Sequence, residues 1–397
     1  MSDISIPNFR FKKYTNNLVK AKLSKIATFN PKSSLPENFK YIDLESVLGT
    51  ELVSYREETR ESAPSRAQRV AQKGDVFYQM VRPYQKNNYL FDLNENNYVF
   101  STGYAQLRPK VDSSFLLARL QEEGFVNKVI ERCTGTSYPA INSKDLSRIS
   151  ITIPEDLEEQ SAIGSLFRTL DDLLVSYKDN LANYQSLKAT MLSKLFPKAG
   201  QTVPEIRLDG FERKWEKKKL IDLVSPVSRK VKKPSDPYYR LSIRSHAKGT
   251  FKQFVDDPKK IAMDNLFEVK ENDLVVNITF AWEHAIAVAS KEDDGLLVSH
   301  RFPTYVIDKS DKNFINIYIK REEFRQKMDL LSPGGAGRNR VLNVKDFINI
   351  QMIVPELEEQ QAIGAYFSNL GNLIDAHQEK ITQLETLKKK LLQDMFI

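Results

Sequence analysis

The sequence predicts an α+β protein with an internal pseudo-two-fold repeat: two mixed α/β domains separated by two long antiparallel coiled-coil helices. Three observations predict it. Leu157-Glu-Glu-Gln-Ser-Ala-Ile-Gly-Ser-Leu-Phe returns 200 residues later as Leu357-Glu-Glu-Gln-Gln-Ala-Ile-Gly-Ala-Tyr-Phe, and aligning 157–196 with 357–396 without a gap gives 14 identities in 40, the mark of a duplication. A second match opens each copy, where Pro7, Arg10, Tyr14, Leu18, Lys20, Leu23 and Ile26 align with Pro204, Arg207, Phe211, Trp215, Lys217, Leu220 and Leu223 at a shift of 197. Between these matched ends, residues 27–140 and 224–335 barely resemble each other. One scaffold therefore carries two different inserts.

The 397 residues suit two units of roughly 150 residues plus connectors, and the repeat supplies the divisions. They are a first domain over 1–150, a central helix with its linker over 151–200, a second domain over 201–351 and a C-terminal helix over 352–397. In the first domain Asp75-Val-Phe-Tyr-Gln-Met-Val81 reads as a buried strand entered from a Lys73-Gly74 turn, and Tyr41-Ile-Asp-Leu as an earlier one. The first insert ends near Thr134-Gly-Thr-Ser137.

The central helix follows Pro154, with acids at Glu155, Asp156, Glu158 and Glu159 where the helix dipole favours them. Its apolar or large residues fall at 163, 167, 170, 174, 177, 181, 184, 191 and 195, alternating steps of four and three around Lys188. That is a heptad seam. About 40 residues of helix make a rod of roughly 60 Å, longer than a compact domain needs, and it stops at Pro197-Lys-Ala-Gly200.

In the second domain Tyr239-Arg-Leu-Ser-Ile-Arg244 and Asp273-Leu-Val-Val-Asn-Ile278 occupy the strand positions. Asp236-Pro-Tyr-Tyr239 reads as a turn entering a strand. The second insert ends in Ser332-Pro-Gly-Gly-Ala-Gly-Arg-Asn-Arg340, a loop that can bring backbone amides close to a phosphate and send a guanidinium beyond it. The C-terminal helix follows Pro355 and repeats the seam at Ile363, Phe367, Leu370, Ile374, His377, Ile381, Leu384, Leu391 and Met395, interrupted by Lys388. If the first helix leads from one insert to the other, the second buries its seam by running back along it. The two then pair antiparallel, with Ile163, Phe167, Leu170, Leu174, Leu181, Ile363, Phe367, Leu370, Ile374 and Ile381 between them. Lys188 and Lys388 are expected to pack their stems and send their ammonium groups to water.

Composition excludes several classes. With 41% hydrophobic and 28% charged residues and no apolar run near ~20 residues, no membrane span is expected. The polar start lacks the form of a signal peptide. Cys133 is the only cysteine, which rules out an intramolecular disulfide and a zinc ribbon and suits a reducing cytoplasm. The net charge of +7 and pI near 9.1 lean toward an anionic partner. The Gly-rich stretch 334–337 lacks the Gly-Lys-Ser/Thr ending of a P-loop, and the four histidines are too dispersed for a metal pattern. No catalytic residues and no metal ligands are assigned.

The alternation of two variable domains with two repeated helices, opened by Pro154-Glu-Asp-Leu-Glu-Glu-Gln160-Ser-Ala-Ile163 and Pro355-Glu-Leu-Glu-Glu-Gln360-Gln-Ala-Ile363, resembles the specificity subunit of type I restriction-modification systems. Lys73-Gly-Asp-Val-Phe, Val81-Arg-Pro83, Ser101-Thr-Gly103, Asn142-x-Lys-Asp-Leu146 and Asn343-x-Lys-Asp-Phe347 are similar to that family as well. The resemblance implies two target recognition domains, each reading one half of a bipartite DNA site, held apart by a helical pair on which two methyltransferase subunits dock. It also implies restriction subunits with an ATP-driven motor and nuclease, and it places S-adenosylmethionine, ATP and Mg in the partners. The geometry agrees, since two related readers match the two-fold symmetry of a duplex and different inserts imply different half-sites.

Arginine reaches guanine, and asparagine or glutamine reaches adenine, in bidentate fashion. The DNA-binding candidates are therefore Arg66, Arg69, Gln79, Arg82, Lys86 and Arg108 in the first domain. In the second they are Arg240, Arg244, His246, Lys248, Trp282, His284, His300, Arg301, Arg338, Asn339 and Arg340, with core packing the preferred role for Trp282. A methyltransferase or nuclease in its own right, a coiled-coil spacer without sequence preference, and a specificity subunit serving a stand-alone methyltransferase without restriction are the alternative readings left open.

Overall fold

The computed structural model describes residues 7–135, 137–198, 200–332 and 340–396. The fold is α+β, and the chain divides into two compact units, Met1–Leu181 with His377–Ile397 and Ala182–Ala376. Two long helices, Leu157–Lys194 and Leu357–Met395, contribute to both. Among the described residues no helix is long and apolar enough to cross a membrane.

In the first unit the matched ends of the repeat meet as an antiparallel ribbon, Leu18–Lys22 against Ser150–Pro154 with Leu18 opposite Pro154. Beside it an antiparallel sheet runs in the order Ala27–Phe29, Tyr104–Pro109, Val76–Gln79, Tyr89–Leu90. All four residues of Val76–Gln79 are buried, which explains its unbroken run of large side chains. The outer sheet runs Arg56–Thr59, Asn38–Ile42, Tyr98–Ser101, Ala67–Val70, with its middle pair parallel. Asn142 caps the helix Ser143–Ser147 by accepting the Asp145 amide at 2.9 Å, which gives the Asn-x-Lys-Asp signature its physical meaning.

The second unit repeats the plan. Glu216–Lys219 pairs with Gln351–Val354, and the adjoining sheet has the equivalent order Ser225–Val227, Thr304–Val306, Asp273–Val276, Ile286–Val288. The outer sheet differs. It has five strands, Lys230–Lys232, Asn265–Glu268, Leu297–Val298, Tyr238–Ile243 and Thr250–Val255, and Asp236-Pro237 is the turn that enters the Tyr238 strand, as expected. The difference in strand arrangement between the inserts thus lies in the outer sheets.

The repeated motif is a structural joint. Arg10 grips Glu159 with Nε at 2.6 Å from Oε1 and Nη2 at 2.7 Å from Oε2, and Arg207 grips Glu359 at 3.0 and 2.5 Å. Both carboxylates are 1% exposed, so each depends on its arginine for a charge partner. Gln160 donates to Pro154 O at 2.8 Å and accepts the Asp112 amide at 3.1 Å, while Gln360 does the same with Pro355 and Asp311. A Cβ on Gly164 would stand 2.5 Å from Asp112 Oδ1 and 2.6 Å from Phe115 N. Only glycine lets the helix Ser113–Gln121 start against the long helix there.

Each unit is also closed by the far end of the helix that starts in the other. In the first, Phe396 lies 5.8 Å from both Phe115 and Phe167, with the Arg119 guanidinium 5.3 Å from its ring. In the second, Phe196 stands 5.7 Å from Phe314 and 6.5 Å from Phe367, under Arg321 at 4.7 Å. The chain register in each is antiparallel, early residues of one helix meeting late residues of the other. Ile163, Phe167, Leu170, Leu174, Ile363, Phe367, Leu370 and Ile381 are buried, and Leu181 and Ile374 half-buried. The expectation for Lys388 needs correction. Its ammonium binds Asp171 rather than open water, because the facing helix puts a carboxylate beside the break in the seam.

Candidate nucleic-acid interface

In the first unit the strand Val76–Gln79 begins at a buried ion pair and ends in an exit loop. At its start Asp75 is fully buried and receives Arg108 Nε and Nη2, both at 2.9 Å. Hydrogen bonding to that carboxylate raises the arginine pKa. Arg108 is therefore committed to the fold, as Arg229 is to the equivalent Asp273 in the second unit.

Beyond Gln79 the chain makes a tight loop in which Arg82 and Lys86 flank the turn Pro83–Gln85 with φ of 53° and 56°. Left-handed backbone at non-glycine residues costs on the order of 1–3 kcal/mol each and gathers at functional loops. The Arg82 amide donates to Pro139 O at 2.8 Å, and its guanidinium lies 4.4 Å from the ring centroid of Tyr138. Tyr138 is 63% exposed. Met80 N donates to Gly103 O, and Thr102 N to Arg66 O, so the exposed Arg66 borders the same loop. Lys86 Nζ reaches Glu123 Oε2 at 2.5 Å, while Gln79 is buried and bonded to Gln85. Arg69 lies on the outer sheet, where burial lowers its pKa.

The second unit builds the same place with other side chains. After Asp273–Val276 the turn Ala281–Glu283 ends at His284, φ 63°, the position Lys86 holds in the first unit. The hairpin tip over 244–249 is seated on this turn. His246 N donates to Glu283 O at 2.7 Å, Ala247 N to His284 O at 2.8 Å, and Ser245 Oγ to Glu283 Oε2 at 2.5 Å. Arg244, His246 and Lys248 are exposed on that tip. Ile278 N donates to Arg301 O at 3.1 Å, bringing the exposed His300 and Arg301 alongside. Arg240 lies further up the strand, bonded to Gln253 at 3.0 Å.

Three candidates have other commitments. His284 is buried, and its Nε2–H donates to Ile319 O at 2.6 Å, which fixes the tautomer because a carbonyl only accepts. Burial holds its pKa below the usual histidine value, partly offset by that carbonyl. Arg340 donates to Ser332 O at 2.8 Å and Asp329 O at 3.0 Å, closing the end of the helix Glu322–Leu330. Trp282 is half-buried, its ring 5.4 Å from the Arg340 guanidinium. Arg338 and Asn339 lie outside the described residues.

The two units thus swap the parts of one contact. In the first the strand-exit loop supplies the arginine, Arg82, and the second loop the aromatic, Tyr138. In the second the strand-exit loop supplies Trp282, and the second loop Arg340. Tyr138, Gln85 and Asn87 escaped the sequence reading. Nothing in one sequence separates an exposed tyrosine from a core one, and amides in a short loop carry no periodicity. Among the described residues no group of three or more His, Cys, Asp or Glu is placed to hold a metal.

A family model described as the type I restriction modification DNA specificity domain matches residues 52–183 and 212–386. The type I restriction enzyme MjaVIII specificity subunit of Methanocaldococcus jannaschii is 23% identical over 338 residues, 81% of this chain and 73% of that protein. The HindI specificity subunit of Haemophilus influenzae is 29% identical over 141 residues, 34% of this chain and 30% of its own. In fold, the chain is similar to the type I restriction-modification system S subunit of M. genitalium, with a TM-score of 0.61 at 13% identity over 99% of both chains.

Proposed function

The chain belongs to the type I restriction-modification DNA specificity family, and from that premise we propose that it reads a bipartite, asymmetric DNA site for a type I restriction-modification assembly. Each recognition domain contacts one half-site, the helical pair sets the distance between them, and two methyltransferase subunits dock on that pair. Restriction subunits complete the assembly in the cytoplasm. Methyl transfer and ATP-driven cleavage belong to those partners, with S-adenosylmethionine, ATP and Mg bound there, and this chain is non-catalytic.

One observation carries the reading. The same strand-exit site stands on the same scaffold in each unit but bears different side chains. Arg66, Arg82 and Tyr138 border it in the first, and Arg244, His246, Lys248, His300 and Arg301 in the second. Equal placement with unequal chemistry is what two readers of two different half-sites require.

Docking has its own support. With Phe167 and Phe367 at heptad position a, Leu173, Leu187, Leu373 and Leu387 all occupy g, and antiparallel helices set g beside g. The first unit holds Leu173 and Leu387, 41% and 45% exposed, and the second holds Leu187 and Leu373, both 43% exposed. Each unit thus presents one apolar pair built from both helices, a repeated patch that fits two copies of one partner.

The test is an exchange. Replacing residues 27–140 with the corresponding insert of a relative is expected to change one half of the methylated site in the host and leave the other intact. Both halves changing together, or neither, overturns the reading.

A further inference from the structure

A cleft of about 370 Å³ opens beside the strand-exit loop of the first unit, and Glu45, Gln79, Arg82, Gln85, Asn87 and Tyr138 are among its lining residues. Its polarity is set by the backbone. An N–H can only donate, so the Asn87 amide, 3.3 Å from Gln79 Oε1, fixes which end of the buried Gln79 side chain is oxygen. Gln79 Nε2 must then donate to Gln85 Oε1, at 2.9 Å. In the same way the Gly49 amide donates to Asn87 Oδ1 at 2.9 Å. The amide oxygens of Gln79, Gln85 and Asn87 are thereby all engaged from the protein side.

Among the described side chains that line the cleft, the groups left without a hydrogen-bond partner are the amino groups of Gln85 and Asn87, the guanidinium of Arg82, the carboxylate of Glu45 and the hydroxyl of Tyr138. The first three only donate, the carboxylate only accepts, and the hydroxyl can do either. In the major groove guanine offers two neighbouring acceptors, N7 and O6, with a donor on cytosine, N4, whereas the bidentate amide contact to adenine needs a free amide oxygen to accept from N6, and at Gln85 and Asn87 that oxygen is taken. We propose that this cleft reads a G·C pair in the half-site of the first domain, with Arg82, Gln85 and Asn87 toward guanine and Glu45 toward cytosine. Gln79 is the positioning residue that orients Gln85. The proposal rests on the DNA-reading role above and adds the base.

The test uses the complete assembly and a site defined by methylome sequencing. First, 7-deazaguanine, which lacks the N7 acceptor, is placed at each guanine of the half-site that follows the first domain. One position is expected to lose binding on the order of tenfold to hundredfold. Second, hosts carrying Gln85→Ala and Gln85→Glu are sequenced. The alanine variant should methylate sites relaxed at that position. The glutamate variant keeps the acceptor for Gln79 but removes the amino group, and it should disfavour guanine there. Relaxation at an A·T pair, or unchanged specificity in both variants together with no sensitive guanine in the wild type, overturns the proposal. Failure of the underlying role looks different, because exchange of residues 27–140 would then leave both half-sites as they were.

Discussion

Removing the Arg10 guanidinium would leave the Glu159 carboxylate, 1% exposed, without a charge partner. Stranding a buried charge costs about 3–5 kcal/mol, whereas replacing both partners with apolar residues is often neutral. Arg10→Ala is therefore expected to lower urea-unfolding stability by that amount, and Arg10→Leu with Glu159→Leu to recover most of it. An equal loss in both would show that packing, not charge, holds the joint. His284 gives a pH signature. Burial lowers its pKa, with Arg325 and His246 pushing the same way and Ile319 O and Glu322 opposing. Its folded value lies below the unfolded value near 6.5, so the unfolded chain binds the extra proton first. Stability is complete above pH ~6.5 and declines as pH falls toward the folded value. Thermal melts should show this decline in the wild type and lose it in His284→Gln, which keeps a donor for Ile319 O.

At the scale of elements, what was legible in the sequence follows from periodicity. Apolar residues at steps of three and four gave both long helices, and the duplicated Leu-Glu-Glu-Gln marked their starts. The partner of each charge was not legible. Arg10 and Glu159 are 149 residues apart, and Arg108 and Asp75 lie on neighbouring strands, so residue type alone suggested DNA contact for an arginine that the fold already uses. The same limit hid Phe396, whose place in a cage of Phe115, Phe167 and Arg119 is set by tertiary packing. Truncating a large buried aromatic costs about 3–5 kcal/mol. Phe396→Ala should accordingly lower stability by that amount, with hydrogen-exchange protection lost first over residues 113–121 and 157–170. The exposed leucines behave differently. Leu173→Asp with Leu387→Asp should leave melting within ~0.5 kcal/mol of wild type but abolish co-purification of one methyltransferase copy. Retention of both copies would remove the g-position leucines from the docking surface.

For the whole molecule, the proposed division of labour makes the helical pair a ruler between two readers, and that can be tested without knowing a single base contact. One heptad added to each helix, near Lys188 and Lys388, preserves the alternation of three and four that buries both seams. It lengthens the rod by about 10 Å at 1.5 Å per residue, close to three base-pair steps of ~3.4 Å. Four residues added to one helix alone make a stutter and should cost assembly before they change any spacing. The paired insertion is expected to keep both half-sites and widen the unread gap by about three base pairs, with reduced methylation because the added helical rotation does not match the added twist of the duplex. Methylome sequencing of a folded, active paired-insertion variant decides between the two ways of holding the readers apart. A wider gap assigns the distance to these helices, and an unchanged gap assigns it to the docked methyltransferase subunits.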